Sequence, residues 1–219
     1  MTVPAPDLSI VAPVLAAADA AADLIEDAAV HAAWDEPSAL AEYTVGGLAG
    51  HLARGMLTAA QYLLADEAGI SDVELVDAAG YFATVLADHD PVDSDKHRDT
   101  RARSAAEAAD GPDVLLSRMA EARSAFVAAV DADRIPEAIM VRDNIAMTPA
   151  EYLRTRLVEL VVHLDDLATS VHRTPMIDDE VLVITAGVLG ETAARRSGAL
   201  AAVQALSRAE RHPEAIRAF

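Results

Sequence analysis

Glu159 and His163 stand four residues apart in RLVELVVHLDDL, residues 156–167, a segment otherwise dominated by Leu and Val. At 100° per residue they fall on one face of a helix, and Tyr152, Arg156 and Asp166 extend the same polar stripe. Leu157, Leu160, Val161, Leu164 and Leu167 make a broad apolar face, and Val158 and Val162 carry apolar character toward the other side. A helix apolar nearly all round is expected to be buried. An ionised carboxylate there is costly unless it is paired, hydrogen-bonded or bound to metal. Spacing alone favours the plain reading, a Glu159–His163 hydrogen bond with Arg156 as counter-charge, because polar pairs at i,i+4 are common on helices. A metal site needs a third ligand from elsewhere.

GGLAGHLARG, residues 46–55, supplies a candidate in His51. Each glycine inside a helix costs on the order of 1 kcal/mol relative to Ala, so Gly46, Gly47, Gly50 and Gly55 imply a gain elsewhere. Close helix packing is the slightly favoured explanation; space beside His51 for a ligand is the other. His51, Glu159 and His163 together offer two imidazoles and one carboxylate, a set that holds catalytic zinc with one coordination position open. Neither His51 nor His163 has the neighbouring Glu of the HExxH pattern. Zinc fits the donors best, although the same set also suits nickel, iron or manganese. His89, His97 and His172 lie in or beside charged connectors, His31 closes the first helix and His212 is near the tail; these are weak ligand candidates.

Those residues need helices to bring them together. Apolar periodicity predicts a long Ala-rich helix over 8–32, with Pro13 tolerable only near its start. A second helix starts at the N-cap Thr44 and runs to about 67, and a shorter helical piece covers 73–88. The charged stretch 89–112 reads as a loop followed by a solvated helix. A third core helix ends at Val130, and 131–147 reads as a connector without strands. Thr148-Pro149-Ala150-Glu151 announces the fourth helix as a capping box with Pro at the first position. One or two further helices follow. The expected fold is all-α, a four-helix bundle with additional C-terminal helices: 1–175 as the bundle and 176–219 as a helical extension packed on it.

The chain has 219 residues, 53% of them hydrophobic, enough for a sizeable core, and a net charge of −19. That charge argues against nucleic acid and anionic membrane surfaces as partners. A small anion would need local Arg groups to overcome it. Arg195, Arg196, Arg208 and Arg211 are candidates for that, or solvated. No run reaches the length of a membrane span, and the N-terminal segment lacks the basic region of a signal peptide. The expected protein is soluble and cytoplasmic. There is no cysteine, so any thiol chemistry needs a thiol brought in by a small molecule.

WDEPSALAEYTVGGLAGHLARG and MTPAEYLRTRLVELVVHLDDLA resemble the signatures of the mycothiol-dependent maleylpyruvate isomerases, whose N-terminal domains are metal-binding four-helix bundles of the DinB/YfiT-like superfamily. The resemblance covers roughly residues 8–172. It implies a divalent metal, usually zinc, on His51, Glu159 and His163, and mycothiol as cosubstrate. The resulting expectation is an isomerase or S-transferase acting on a small electrophile, with Arg156 and Asp166 orienting the metal ligands and a homodimer admissible. The alternatives are a non-catalytic metal-binding module of the same superfamily and a metal-free bundle with a buried Glu–His pair. In the isomerase a separate C-terminal domain helps bind the substrate carboxylates; here the segment after the fourth helix looks helical.

Overall fold

The computed structural model describes residues 8–65, 73–85, 94–142, 145–208, 210–211 and 213–218. Four helices make the bundle: α1 (Val11–Glu26), α3 (Val45–Leu63), α6 (Pro112–Asp131) and α7 (Pro149–Ser170). α1 and α3 each pack on α6 and α7 and also touch each other. The core between them holds Val14, Ile25, Leu48, Leu52, Met56, Leu115, Phe126, Leu153, Leu157 and Leu160, all fully buried. The burial of α7 follows its apolar pattern. Arg156, Glu159, His163 and Asp166 of its polar stripe are half-buried, and Asp165 and Thr169 are exposed.

The start of α1 near Pro13 agrees with the sequence, but the helix does not run to residue 32. It stops at Glu26, and α2 (Ala28–Ala32) restarts at an angle. Asp27 makes the break: it leaves helical geometry, and its carboxylate accepts from the Ala29 N–H at 2.7 Å. Asp27 also takes a two-pronged contact from Arg173. Helix α3 begins as expected, with the Thr44 hydroxyl accepting from Gly47 N–H at 3.0 Å; it ends at Leu63, short of the expected 67.

Helix α4 (Ala78–Val85) and helix α5 (Asp95–Ala108) lie between α3 and α6 in the chain. α5 is not simply a solvated helix. It lies along α3 and buries Ser104 and Ala108 there, while Glu107 sits between Arg54 of α3 (3.6 Å) and Arg118 of α6 (3.0 Å). Gly111, at φ +89, turns the chain into Pro112, the first residue of α6. Only glycine adopts that φ without cost.

Strands are the clearest departure. β1 (Ile139–Arg142) and β2 (Ile145–Met147) form a short antiparallel pair with Ile139 opposite Met147 and Met140 opposite Ala146. Ile139 and Met147 are buried. Three or four residues per strand are too few for alternation to show. Half of the expected capping box forms at α7: the Thr148 hydroxyl accepts from the Glu151 N–H. The Glu151 carboxylate does not return to Thr148. It accepts instead from Ala78 N–H at 2.9 Å, tying the start of α4 to α7. α8 (Asp179–Ser197) packs on α4 and α7, and α9 (Ala199–Ser207) packs on α8.

Candidate metal centre

His51 comes from the middle of α3, Glu159 and His163 from the middle of α7. The glycines of α3 explain how closely α3 is approached. A Cβ on Gly46 would lie 2.6 Å from the Trp34 indole, one on Gly50 2.1 Å from the Ser104 carbonyl oxygen, and one on Gly55 2.7 Å from Leu160. Packing is therefore what these three glycines serve. None of them leaves open space for a ligand.

The close approach brings three donors to one point. His51 Nε2 lies 3.9 Å and His163 Nε2 3.3 Å from the same oxygen, Glu159 Oε2. One ligand atom from each residue lies within 4.8 Å of the other two. The two imidazole rings meet edge-on with centroids 4.3 Å apart. The side chains are 14%, 30% and 16% exposed for His51, Glu159 and His163. A group of that kind is held by protein but reachable from solvent.

Both outer ring nitrogens are tethered. His163 Nδ1 is 3.0 Å from Asp166 Oδ2. His51 Nδ1 is 3.1 Å from Ser104 Oγ. The Ser104 hydroxyl donates its own proton to the Thr100 carbonyl at 2.8 Å. It can therefore only accept from His51, which fixes the proton on Nδ1 and turns the Nε2 lone pair toward Glu159. Tethering the far nitrogen is how metal-binding histidines are held.

The charges follow the same geometry. Burial, with the charge of His163 beside it, pushes His51 down to about 3. Burial also opposes a charge on His163, but hydrogen bonds to Asp166 and Glu159 outweigh it and hold the imidazolium up to about 9. Burial would raise Glu159; the His163 hydrogen bond and the Arg156 charge overcome that and bring it to about 2. Without metal the trio is a neutral His51, an anionic Glu159 and a cationic His163.

Residues 14–168, well over half of the chain, match the family model described as the mycothiol maleylpyruvate isomerase N-terminal domain. The chain belongs to that family. Neither the curated proteins nor the solved structures contain a match to it. The family match contains all four bundle helices apart from the first three residues of α1 and the last two of α7, and it contains all three converging donors. The helical bundle is of the DinB-like kind expected of this family. Helices α8 and α9 lie beyond the match.

The structure places the other expected residues differently from one another. Asp166 touches a donor directly. Arg156 does not: its Nε donates to Thr155 Oγ1 at 3.1 Å, its Nη1 donates to Thr58 Oγ1 at 3.3 Å, and its guanidinium lies over the Tyr152 ring, 5.1 Å from the centroid. It acts on Glu159 through charge alone. Arg195 is taken by Asp77 and Glu191, and Arg196 donates to the Ala218 carbonyl. His97 caps α5 with Ser94, His31 and His172 are exposed, and His89 and His212 lie outside the described residues. Sequence reasoning missed Ser104 and Tyr43. Tyr43 lies 5.5 Å from the His51 ring, and burial raises its pKa. The available signal for Ser104 was weak, a small residue one turn before Ala108 in a charged helix.

Proposed function

We propose that the chain is a metal-dependent enzyme that uses a low-molecular-weight thiol, mycothiol by its family, for S-transfer to a small electrophile or thiol-assisted isomerisation of one. The carrying observation is the convergence of two Nε2 atoms on one carboxylate oxygen with both Nδ1 atoms tethered. In this reading His51, Glu159 and His163 hold the metal, and zinc suits a His₂Glu set best. Bound zinc would supply Lewis acidity, lowering the pKa of a thiol so that it is a thiolate at neutral pH. Ser104 and Asp166 keep both imidazoles in the tautomer that offers Nε2 inward. The apolar walls of α3 and α7 limit water around the donors. With no cysteine in the chain, the reacting sulfur comes from the cosubstrate. Helices α8 and α9 are read as an extension of the bundle over 176–219. No described helix is long and apolar enough to cross a membrane, in keeping with cytoplasmic action on diffusible molecules.

Metal content of the purified protein tests the site: near-stoichiometric zinc is expected, lost in His51→Ala and Glu159→Gln. Zinc retained by both variants refutes the assignment. Conjugation of mycothiol to model electrophiles, with and without chelator, tests the activity. Zinc binding with no chelator-sensitive conjugation would make the chain a non-catalytic metal-binding module.

A further inference from the structure

We infer that α8 is the seam of a homodimer, pairing antiparallel with α8 of a second copy across a two-fold axis, with α9 flanking the pair. α9 is turned the wrong way round for a lone domain. It buries Ala202, while Leu200, Val203 and Leu206, at steps of three, are 70%, 60% and 68% exposed. A surface helix normally keeps its large apolar side chains on the core and its polar ones outside. α8 shows the same anomaly. Val181, Thr185, Val188 and Thr192 are buried. The opposite side carries Val183, Ala186, Gly187, Gly190 and Ala194, exposed or half-buried, with exposed Leu182 at its edge. No charged residue stands between Glu180 and Glu191.

Charge selects the occupant of this face. Residues 1–175 carry 30 acidic and 12 basic side chains, so two copies repel each other over most of their surface. Residues 176–219 carry six acidic and five basic ones, and there a second copy can approach. Within α8 the charges are ordered by position: Asp179 and Glu180 in the first turn, Arg195 and Arg196 in the last. Antiparallel pairing lays the acidic end of each helix against the basic end of the other and sets the two helix dipoles in opposition. Arg195 is held by Asp77 and Glu191 of its own chain. Arg196 donates to the Ala218 carbonyl but is exposed, which leaves it to face a second copy.

Spacing sets the register. Val183, Gly187, Gly190 and Ala194 follow one another at steps of four, three and four, the repeat of a left-handed helix pair. Those steps read the same in both directions. A two-fold axis between Gly187 and Gly190 therefore sets Val183 against Ala194 of the second copy and Gly187 against its Gly190, an isologous contact. The same register brings Glu180 beside Arg196 of the second copy. Neither glycine has an atom within 4 Å of its would-be Cβ, so the packing that explains the glycines of α3 does not explain these. Side chains this small let helix axes approach to about 8 Å, and alanine at either glycine keeps that spacing. α9 packs beside α8, so Leu200, Val203 and Leu206 come next to the N-terminal half of the second α8, where Leu182 and Val183 are exposed. Five such side chains at about 60–120 Å² each supply about 300–600 Å², the apolar share of the roughly 800 Å² that each partner buries in a stable dimer.

Sedimentation equilibrium of the full-length chain tests the pairing. A mass of twice 23.0 kDa is expected at micromolar concentration. Val183→Glu and Val203→Glu, both at exposed positions, should weaken dimerisation about tenfold or more with an unchanged circular dichroism spectrum. Arg196→Glu and Glu180→Arg should each weaken it about fivefold, since two exposed ion pairs are lost per dimer, and the double variant should return toward wild type. Loss of the Ala218 contact alone would not be rescued in that way. The chain has no cysteine, so Val183→Cys mixed with Ala194→Cys should cross-link on oxidation, whereas Val183→Cys alone leaves its thiols about 16 Å apart along the seam. Should one glutamate variant misfold, the other and the cross-link decide. A wild-type chain still monomeric at about 100 µM overturns the inference. So does a dimer indifferent to the folded glutamate variants, or one that cross-links as readily in Val183→Cys alone as in the mixture. None of these readouts depends on bound metal.

Discussion

Alanine at two glycines should give effects of opposite sign. At Gly50 a Cβ would lie 2.1 Å from the Ser104 carbonyl oxygen and 3.1 Å from Ala108 Cβ, where ordinary contact begins at 3.4 Å. Backbone cannot rotate away as a flexible side chain can, so α5 must retreat by about 1 Å. Overpacking of this kind costs about 1–3 kcal/mol. The gain from Gly to Ala inside a helix is about 1 kcal/mol. The retreat also stretches the 3.1 Å contact between Ser104 Oγ and His51 Nδ1 past hydrogen-bonding distance, a loss of about 1 kcal/mol. The net expectation for Gly50→Ala is about 1–3 kcal/mol of destabilisation.

Gly187, on α8, has nothing within 4 Å of its would-be Cβ. There only the propensity gain remains, and Gly187→Ala should stabilise by up to about 1 kcal/mol. At this chain length 1 kcal/mol moves Tm by about 2–4 °C. Thermal melts of the two variants should therefore separate by several degrees on either side of wild type. Chelator competition adds a second readout: zinc affinity should fall about 10-fold or more in Gly50→Ala, as when a ligand-orienting contact is lost, and stay unchanged in Gly187→Ala. A Gly50→Ala protein as stable as Gly187→Ala would refute the packing of α5 on α3. One that melts low yet binds zinc normally would refute the link from α5 to His51.

Other outcomes follow from the same contacts. Ser104→Ala and Asp166→Asn should each lower zinc affinity about 10–100-fold while leaving the bundle folded, measured against a chromophoric chelator; wild-type affinity in both would mean the tethers on Nδ1 do not matter. Zinc affinity should rise about tenfold per pH unit between pH 7 and about 9 and then level, because His163, held protonated up to about 9, must release that proton to bind; a flat profile contradicts the charge state. In the chelated protein the sign reverses. The raised pKa of His163 contributes stability that is full below its ordinary value of 6.5 and lost as pH rises through about 9, so urea midpoints of the chelated protein should fall across that window, and a His163→Gln variant should lose the dependence.

The sequence was most informative where one local signal decided the outcome. Thr148-Pro149-Ala150-Glu151 starts α7 where it should, and the stripe Tyr152, Arg156, Glu159, His163, Asp166 lies on one side of it. His51 was found through the cost of its neighbouring glycines, and packing explains that cost. What stayed hidden depends on partners far along the chain. Asp27 looks like one more acid in an Ala-rich run until Arg173, 146 residues away, is seen to hold it. Glu151 signals a capping box, but its carboxylate goes to Ala78. Ser104 sits in a helix so charged that it reads as solvated, because the face it buries is made of small residues. A contact of two small side chains carries no hydrophobic periodicity, and the site's second tether lay there.

The electrostatics of the stripe bear on what the pocket attracts. In the metal-free state Glu159 and Asp166 are balanced by His163 and Arg156, two charges against two. A divalent ion replaces the single His163 proton, and the balance moves one unit positive. That local surplus sits within a chain of net charge −19, where free anions are repelled from most of the surface. Short-range attraction at a partly closed site outweighs the distant charges, which salt screens beyond roughly 10 Å. Loading the metal should therefore favour a bound thiolate over the free thiol. The cause is an exchange: the proton on His163 is the competitor of the metal, and replacing it leaves the pocket one unit more positive.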